Sequence, residues 1–180
     1  MITVISGSNR KDNLTRHFAE FAFELLKLKP NVQAQFVDLT KFDDLSLFGD
    51  MYNKNSQPQA LRQLQLDKII PAQKFWFFIP EYNGSYPGVL KLILDCLSVR
   101  DIKESFFSKK ACITGIASGR AGNLRGMDHL ADVLNHLGIH VHPNKVPISS
   151  IYQFFDDQNR VVGEDVVDIL LKQADQLIAF

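Results

Sequence analysis

Cysteine is scarce in this sequence: Cys96 and Cys112 stand alone, with no C-x-x-C pair and no spaced framework. That excludes a disulfide scaffold and a structural zinc site, and both thiols are expected to be buried small hydrophobes. A surplus of charge of either sign is missing too, since 20 Lys plus Arg face 20 Asp plus Glu. The balance removes the basic surface that would hold nucleic acid or an anionic membrane, so neither is an expected partner. Long apolar runs are also lacking. The longest, Phe75 to Ile79, falls far short of the ~20 residues that cross a bilayer, so no membrane span is expected. The opening MITVISGSNR has no basic leader ahead of an apolar stretch and reads as a first strand, which makes the cytoplasm the expected location. No repeat or low-complexity tract divides the chain, so residues 1–180 are read as one domain.

What is present is an alternation of short β-rich runs and amphipathic helical stretches, the pattern of a parallel sheet covered by helices. Ile2 to Ser6 is a first strand, and Leu14, Phe18, Phe21, Leu25 and Leu28 follow at helical steps until Pro30 and Asn31 break the pattern. Val32 to Leu39 supplies a second strand whose apolar and polar residues alternate, as suits an edge. Lys74 to Pro80 (KFWFFIP) is solidly apolar, as a strand buried on both faces should be, and Val89 to Leu97 marks the helix after it. Lys110 to Ile116 is a fourth strand, Leu124 to Leu137 a helix stopped by Gly138, Ile139 to His142 a fifth strand, and Val166 to Phe180 a closing helix. The least regular stretch is Lys41 to Gln59, either a functional loop or an inert insertion.

In an open parallel sheet, ligands bind beyond the carboxyl ends of the strands. The loop after the first strand runs Gly7-Ser8-Asn9-Arg10-Lys11-Asp12-Asn13-Leu14-Thr15. At a helix N-terminus its free backbone N–H groups, the Ser8, Asn13 and Thr15 side chains and the Arg10 charge could hold a phosphate. The bland alternative is that Asn13 caps the helix and Arg10 is solvated. One glycine is too few for a G-x-G-x-x-G fingerprint or an ATPase phosphate loop, which favours a mononucleotide such as FMN. The loop after the third strand, Pro80-Glu81-Tyr82-Asn83-Gly84-Ser85-Tyr86-Pro87-Gly88, could frame a flat heterocycle with an aromatic wall and backbone donors, or could be a tight turn covering the sheet.

Gly7-Ser8-x-Arg10 together with Pro80-Glu81-Tyr82-Asn83-Gly84-Ser85-x-Pro87-Gly88-x-Leu90-Lys91 resembles the NADPH-dependent FMN reductase family, which includes chromate, quinone and azo-dye reductases. The resemblance implies a flavodoxin-like α/β fold: a three-layer sandwich with a five-stranded parallel sheet in the order 2-1-3-4-5 and helices on both faces. It further implies FMN held by Ser8, Arg10, Asn13, Leu14 and Thr15, by Pro80, Glu81, Tyr82, Asn83, Gly84 and Ser85, and, in a third loop after the fourth strand, by Ser118, Gly119, Arg120 and Gly122. In that order strands one, three and four are adjacent, so the three loops meet at one edge. The chain departs from the family at Asn13, where serine is common, and at Leu92-Ile93-Leu94-Asp95-Cys96, where Asn-Ala-Ile-Asp-Trp is common.

The implied activity is hydride transfer from NADPH or NADH to FMN, then electron transfer to a small acceptor such as a quinone, azo compound, chromate or free flavin. The cofactor carries this chemistry, so no catalytic acid or nucleophile is expected. A homodimer or homotetramer is implied, with Phe48, Met51 and Tyr52 of the long loop as candidates to meet a neighbour. A flavodoxin-type electron carrier or a non-catalytic flavin-binding protein shares the fold and cofactor, although a carrier is usually strongly acidic. His140 and His142 alternate on a strand but lack an evident third ligand, His129 and His136 read as solvated helix positions, and Asp43 and Asp44 are merely adjacent, so no metal is expected.

Overall fold

The computed structural model describes residues 1–42, 52–55 and 57–180. Its frame is a wholly parallel sheet of β1 (Ile2–Ser6), β2 (Ala34–Asp38), β3 (Lys74–Pro80), β4 (Lys110–Ile116), β5 (His140–Val141) and β6 (Val146–Ile148). The order is β2-β1-β3-β4-β5, with β6 also paired to β4. The expected strand order therefore holds, and β2 is indeed an edge, but the sheet has six strands where five were expected. The stretch read as one fifth strand continues past His142: β5 pairs with Lys110 and Ala111, the chain turns at Pro143, and β6 resumes against Thr114 to Ile116. Pro147 is tolerated in β6 because that strand pairs on one side only.

Period-2 alternation explains the unbroken apolar run of β3. Phe75, Phe77 and Ile79 face a core shared with α2 (Gln59–Leu64), α3 (Gly88–Ser98), α4 (Ile102–Phe106) and α5 (Leu124–His136). Trp76 and Phe78 face the other core, against α1 (Leu14–Lys27) and α6 (Glu164–Ala179). A strand covered on both sides has no solvent face for a polar residue to occupy. The crossover from β2 to β3 contains α2, which runs into a π-helical turn through Ile69, an element the hydrophobic pattern did not announce.

Each core encloses a polar cluster that is satisfied internally. Behind Trp76, the indole Nε1 donates to Thr114 Oγ1 at 2.8 Å and to Gln173 Oε1 at 3.2 Å, Thr114 Oγ1 donates to Gln173 Oε1 at 2.6 Å, and Gln173 Nε2 donates to the Ile113 carbonyl at 3.0 Å. This network ties α6 to the two central strands. On the other face the buried Gln65 Nε2 donates to the Leu97 carbonyl at 2.9 Å and to Ser105 Oγ at 2.8 Å, locking the crossover to α3 and α4. Cys96 and Cys112 are both fully buried, and burial pushes the Cys112 thiol up to about 12.

Replacing Gln173 with alanine removes the group that satisfies three buried partners and leaves a void between α6 and the sheet. The expected loss is roughly 2–3 kcal/mol of unfolding free energy, read from urea denaturation. A loss below about 0.5 kcal/mol would show that Trp76 and Thr114 satisfy one another without α6.

Candidate functional site

At the carboxyl end of the sheet, the loops are seated on the strands by backbone contacts too close for a side chain. A Cβ on Gly115 of β4 would lie 2.2 Å from the Gly122 carbonyl oxygen, so only glycine lets the third loop fold back there. Gly122 in turn packs against Pro147 of β6. The third loop is further tied by Ala117 N–H to the Ile148 carbonyl at 3.0 Å and by Ser150 N–H to the Gly119 carbonyl at 3.2 Å. Asn123 Nδ2 donates to the Ile79 carbonyl at 3.1 Å, joining the third loop to the end of β3.

The second loop is fixed equally firmly. Tyr82 and Ser85 exchange both backbone hydrogen bonds, at 2.8 and 3.0 Å, around Asn83 and Gly84, whose φ angles are +52° and +75°. Positive φ at both central residues makes this a type I′ turn, the geometry that Asn-Gly favours. Glu81 N–H donates to the Ile116 carbonyl at 3.1 Å, and the Tyr82 hydroxyl meets the fully buried Ser8 Oγ at 2.7 Å. First, second and third loops are thus mutually fastened.

Between them lies a cavity of about 620 Å³, within the range of small-molecule sites. Arg10, Asn13, Leu14 and Thr15 line it from the first loop, Pro80 to Gly84 from the second, and Ser118 and Gly119 from the third. Four expected residues lie off its wall. Ser8 sits beneath it, joined to Tyr82 and accepting from Arg10 N–H at 3.2 Å; Ser85 pairs with His129 at 3.0 Å; Arg120 is exposed beyond Gly119; and Gly122 is packed on Pro147. Asn13 lines the cavity but spends its side chain within the chain, its Oδ1 accepting from Arg16 N–H at 2.9 Å and its Nδ2 donating to the Arg10 carbonyl, which makes it the cap of α1. Sequence reasoning missed Asp12, Ile116, Ala117, Ile151 and Tyr152 on the wall. The last two arrive from a 3-10 turn after β6, which no motif marks.

The electrostatics of this cavity favour an anion at one end. The first turn of α1 contains no acidic residue, whereas α6 begins with Glu164 and Asp165; the carboxylates on the cavity wall are Asp12, just before the Asn13 cap, and Glu81. Arg10 adds a guanidinium with no carboxylate partner among the described residues. At the other end Gly84 and Gly119 are on the wall, and a Cβ on Gly119 would touch nothing within 4 Å, so that backbone faces open space. Charge at one end and flat backbone at the other suit a phosphomonoester carried on a planar heterocycle, and the residues present fit FMN.

The remaining described candidates are not among the residues that line this cavity. Phe48, Met51, Asp43 and Asp44 lie outside the described residues. Tyr52 is exposed and lines a separate cleft of about 480 Å³ with residues of α3 and α5, among them His136. His142 accepts from Asn144 N–H and packs edge-on against Phe180, while His140 is exposed. Among the described residues, no group of three or more His, Cys, Asp or Glu could hold a metal.

The sequence profile of the NADPH-dependent FMN reductases matches residues 1–153. An NAD(P)H-dependent FMN reductase of Pseudomonas aeruginosa is 29% identical over 174 residues, 96% of this chain and 90% of that protein. A 2-hydroxy-1,4-benzoquinone reductase of Burkholderia is 31% identical over 139 residues, 77% of this chain and 72% of that protein. Among solved structures, FerB, a flavoenzyme NAD(P)H:(acceptor) oxidoreductase of Paracoccus denitrificans, superposes with a TM-score of 0.82 at 23% identity, over 99% of this chain and 94% of that one, a likeness of fold.

The clasp between Ser8 and Tyr82 is testable without any ligand. In a double-mutant cycle of Ser8→Ala and Tyr82→Phe, the two single losses in unfolding free energy should exceed additivity by about 0.5–1.5 kcal/mol, the value of one partly buried hydrogen bond. Strict additivity would show that the first and second loops are held independently.

Proposed function

The chain belongs to the NADPH-dependent FMN reductase family, oxidoreductases that work with FMN and a nicotinamide donor, and we propose that the three-loop cavity is its FMN site and a quinone its acceptor. The observation that carries this reading is the convergence of the first, second and third loops on one cavity that Arg10 and the N-terminus of α1 line. FMN, when bound, supplies the redox chemistry, taking a hydride from NADH or NADPH and returning two electrons to the acceptor. The overall change is NAD(P)H plus quinone plus a proton giving NAD(P)⁺ plus hydroquinone.

The protein's part is to hold and orient. Arg10 and the free N–H groups opening α1 take the phosphate, with Thr15 and Leu14 beside them. Backbone groups of Glu81 to Gly84 and of Ser118 and Gly119 border the ring, and Ser8 acts from below by fixing Tyr82. A preorganised backbone costs no reorganisation when negative charge develops on the ring, which is why no side-chain acid is required. The acceptor reading is supported by the hydroxyquinone reductase among the relatives. A homodimer or homotetramer in the cytoplasm completes the proposal; the exposed Tyr52 beside the cleft of α3 and α5 supports an assembling surface, and two buried, unpaired cysteines support a reducing compartment.

Titration of apoprotein with FMN, followed by NAD(P)H oxidation with a quinone, tests the reading; FMN binding without turnover would leave an electron carrier. Arg10→Ala should weaken FMN binding by roughly 1–2 kcal/mol, the lower part of the range for a charge-assisted contact because Arg10 is exposed. Unchanged affinity would remove Arg10 from the site.

Gly84 separates a ring wall from a plain turn. Its φ of +75° strains a β-branched residue, yet a Cβ there would meet only the Arg125 tip at 3.8 Å. Gly84→Val should therefore lose stability whatever the loop does. Gly84→Asn retains the left-handed backbone, so if the loop borders the ring, a side chain added to the wall should lower FMN affinity and NAD(P)H oxidation at near-normal thermal stability. Normal binding and turnover in Gly84→Asn would reduce the loop to a turn.

A further inference from the structure

Arg125 lies off the cavity wall and makes no ion pair or side-chain hydrogen bond among the described residues. It stands in the first turn of α5, and its guanidinium reaches the second loop, with Nη1 3.8 Å and Cζ 3.9 Å from where a Cβ of Gly84 would lie. One turn further, His129 reaches the next residue, its Nδ1 3.0 Å from Ser85 Oγ. Positions four apart share a helix face, so Arg125 and His129 form one edge of α5 leaning on the loop whose Gly84 belongs to the cavity wall.

Three arginines elsewhere are neutralised. Arg16 pairs with Glu20 at 2.7 Å and Asp38 at 3.4 Å, Arg62 with Asp101 at 2.6 Å, and Arg160 with Asp156 at 2.7 Å. Arg10 on the cavity wall, Arg120 beyond Gly119 and Arg125 against Gly84 have no carboxylate partner among the described residues, a condition they share with Arg100. Of the acids close to Arg125 in sequence, Asp128 is engaged by Lys145, and Asp132 lies two turns along α5 in the lining of the cleft with Tyr52. Glu81 and Asp12 line the cavity, and neither is paired with Arg125. An exposed guanidinium leaning on the loop that walls the cavity, with no carboxylate of its own, is set to meet an anion brought by the substrate.

We propose that Arg125 is a specificity-determining residue that selects an acceptor quinone bearing an ionised substituent. This rests on the cavity being the FMN site. The enolic hydroxyl of a 2-hydroxyquinone is a vinylogous carboxylic acid and is ionised at neutral pH, so the acceptor is a planar ring with its negative charge shared between oxygens. With that ring over the open side of the cavity near Gly84, the paired N–H donors of Arg125 match the delocalised oxygens. The redox balance is unchanged: NAD(P)H gives a hydride, solvent gives a proton, the quinone anion becomes the hydroquinone anion, and Arg125 makes and breaks no covalent bond.

The test uses the FMN-loaded enzyme, 2-hydroxy-1,4-benzoquinone and its neutral parent 1,4-benzoquinone, with the non-enzymatic rate subtracted. Arg125→Gln should lower kcat/KM for the hydroxyquinone on the order of tenfold while leaving the neutral quinone within about twofold and FMN affinity unchanged. Arg125→Lys should keep part of the selectivity, and raising salt to about 0.5 M should narrow the wild-type preference. Equal losses on both quinones, or none on either, would overturn the proposal. A loss confined to reduction of the enzyme by NADPH or NADH would assign Arg125 to the donor's phosphates instead and overturn it as well. Failure of the wild-type apoprotein to bind FMN is a separate signal, striking the underlying site and not the selectivity.

Discussion

The site depends on a place where no side chain fits. The Gly122 carbonyl rests on Gly115 of β4, and that contact lets the third loop descend onto the strand ends instead of arching over them. Once it is down, its other ties become reachable: Ala117 to the Ile148 carbonyl, Ser150 to the Gly119 carbonyl, and Asn123 to the carbonyl of Ile79. The last bond couples β4's loop to β3's, and the Tyr82 hydroxyl carries the coupling on to Ser8 in the loop of β1. A cavity between three loops normally inherits the mobility of each. Here each loop is braced by the next, so the cavity can be as rigid as the sheet beneath it.

The two ends of the sheet use positive charge in opposite ways. At the amino end, Lys74 donates to the Leu177 and Ile178 carbonyls at 3.0 and 2.7 Å, Lys110 to the Phe180 carbonyl, and Lys109 to the Ile69 and Ile70 carbonyls at 2.7 and 2.9 Å. These ammonium groups satisfy carbonyls at helix ends, and the burial involved pulls Lys109 down to about 8. At the carboxyl end, Arg10, Arg120 and Arg125 satisfy nothing within the described chain. Arg10 lines the cavity beside the N-terminus of α1, Arg120 lies beyond Gly119, and Arg125 leans on Gly84, on a protein whose net charge is zero. Charge of one sign is thus consumed by the fold at one end and kept for a ligand at the other.

What could be read in the sequence follows from how local each feature is. The KFWFFIP run shows burial on both faces because neighbouring residues enter different cores; β2 is an edge by its pairing, but its polar Gln35 is buried, donating to Thr3 Oγ1 and the Lys68 carbonyl, so its alternation does not mark a solvent face. The first and second loops were legible because their backbone demands particular residues in a row, Asn83-Gly84 above all. The division of β5 from β6 was not, since what separates them is a turn at Pro143 in an otherwise strand-like stretch. Ser8 shows the limit most plainly: its position next to a helix start suggests a ligand donor, and only the distant Tyr82 reveals that it faces inward. Tyr152 and Ile151 lie far along the chain from the loops they join, so no spacing could have named them.

This contrast has a chemical origin. When the cofactor performs the reaction, a protein of this kind needs rigid placement more than reactive side chains, and rigid placement is written in glycines, prolines and turn pairs that survive as motifs. Choice of acceptor needs something else, namely a few exposed side chains at the open rim whose neighbours leave them unpaired. Arg125 on α5 and Tyr152 on the turn after β6 meet that description, and each is an unremarkable surface residue in its own stretch of sequence. The loops of the proposed cofactor site are therefore legible from local pattern, while the proposed acceptor contact emerges only after the fold has brought α5 against the Asn83–Gly84 turn.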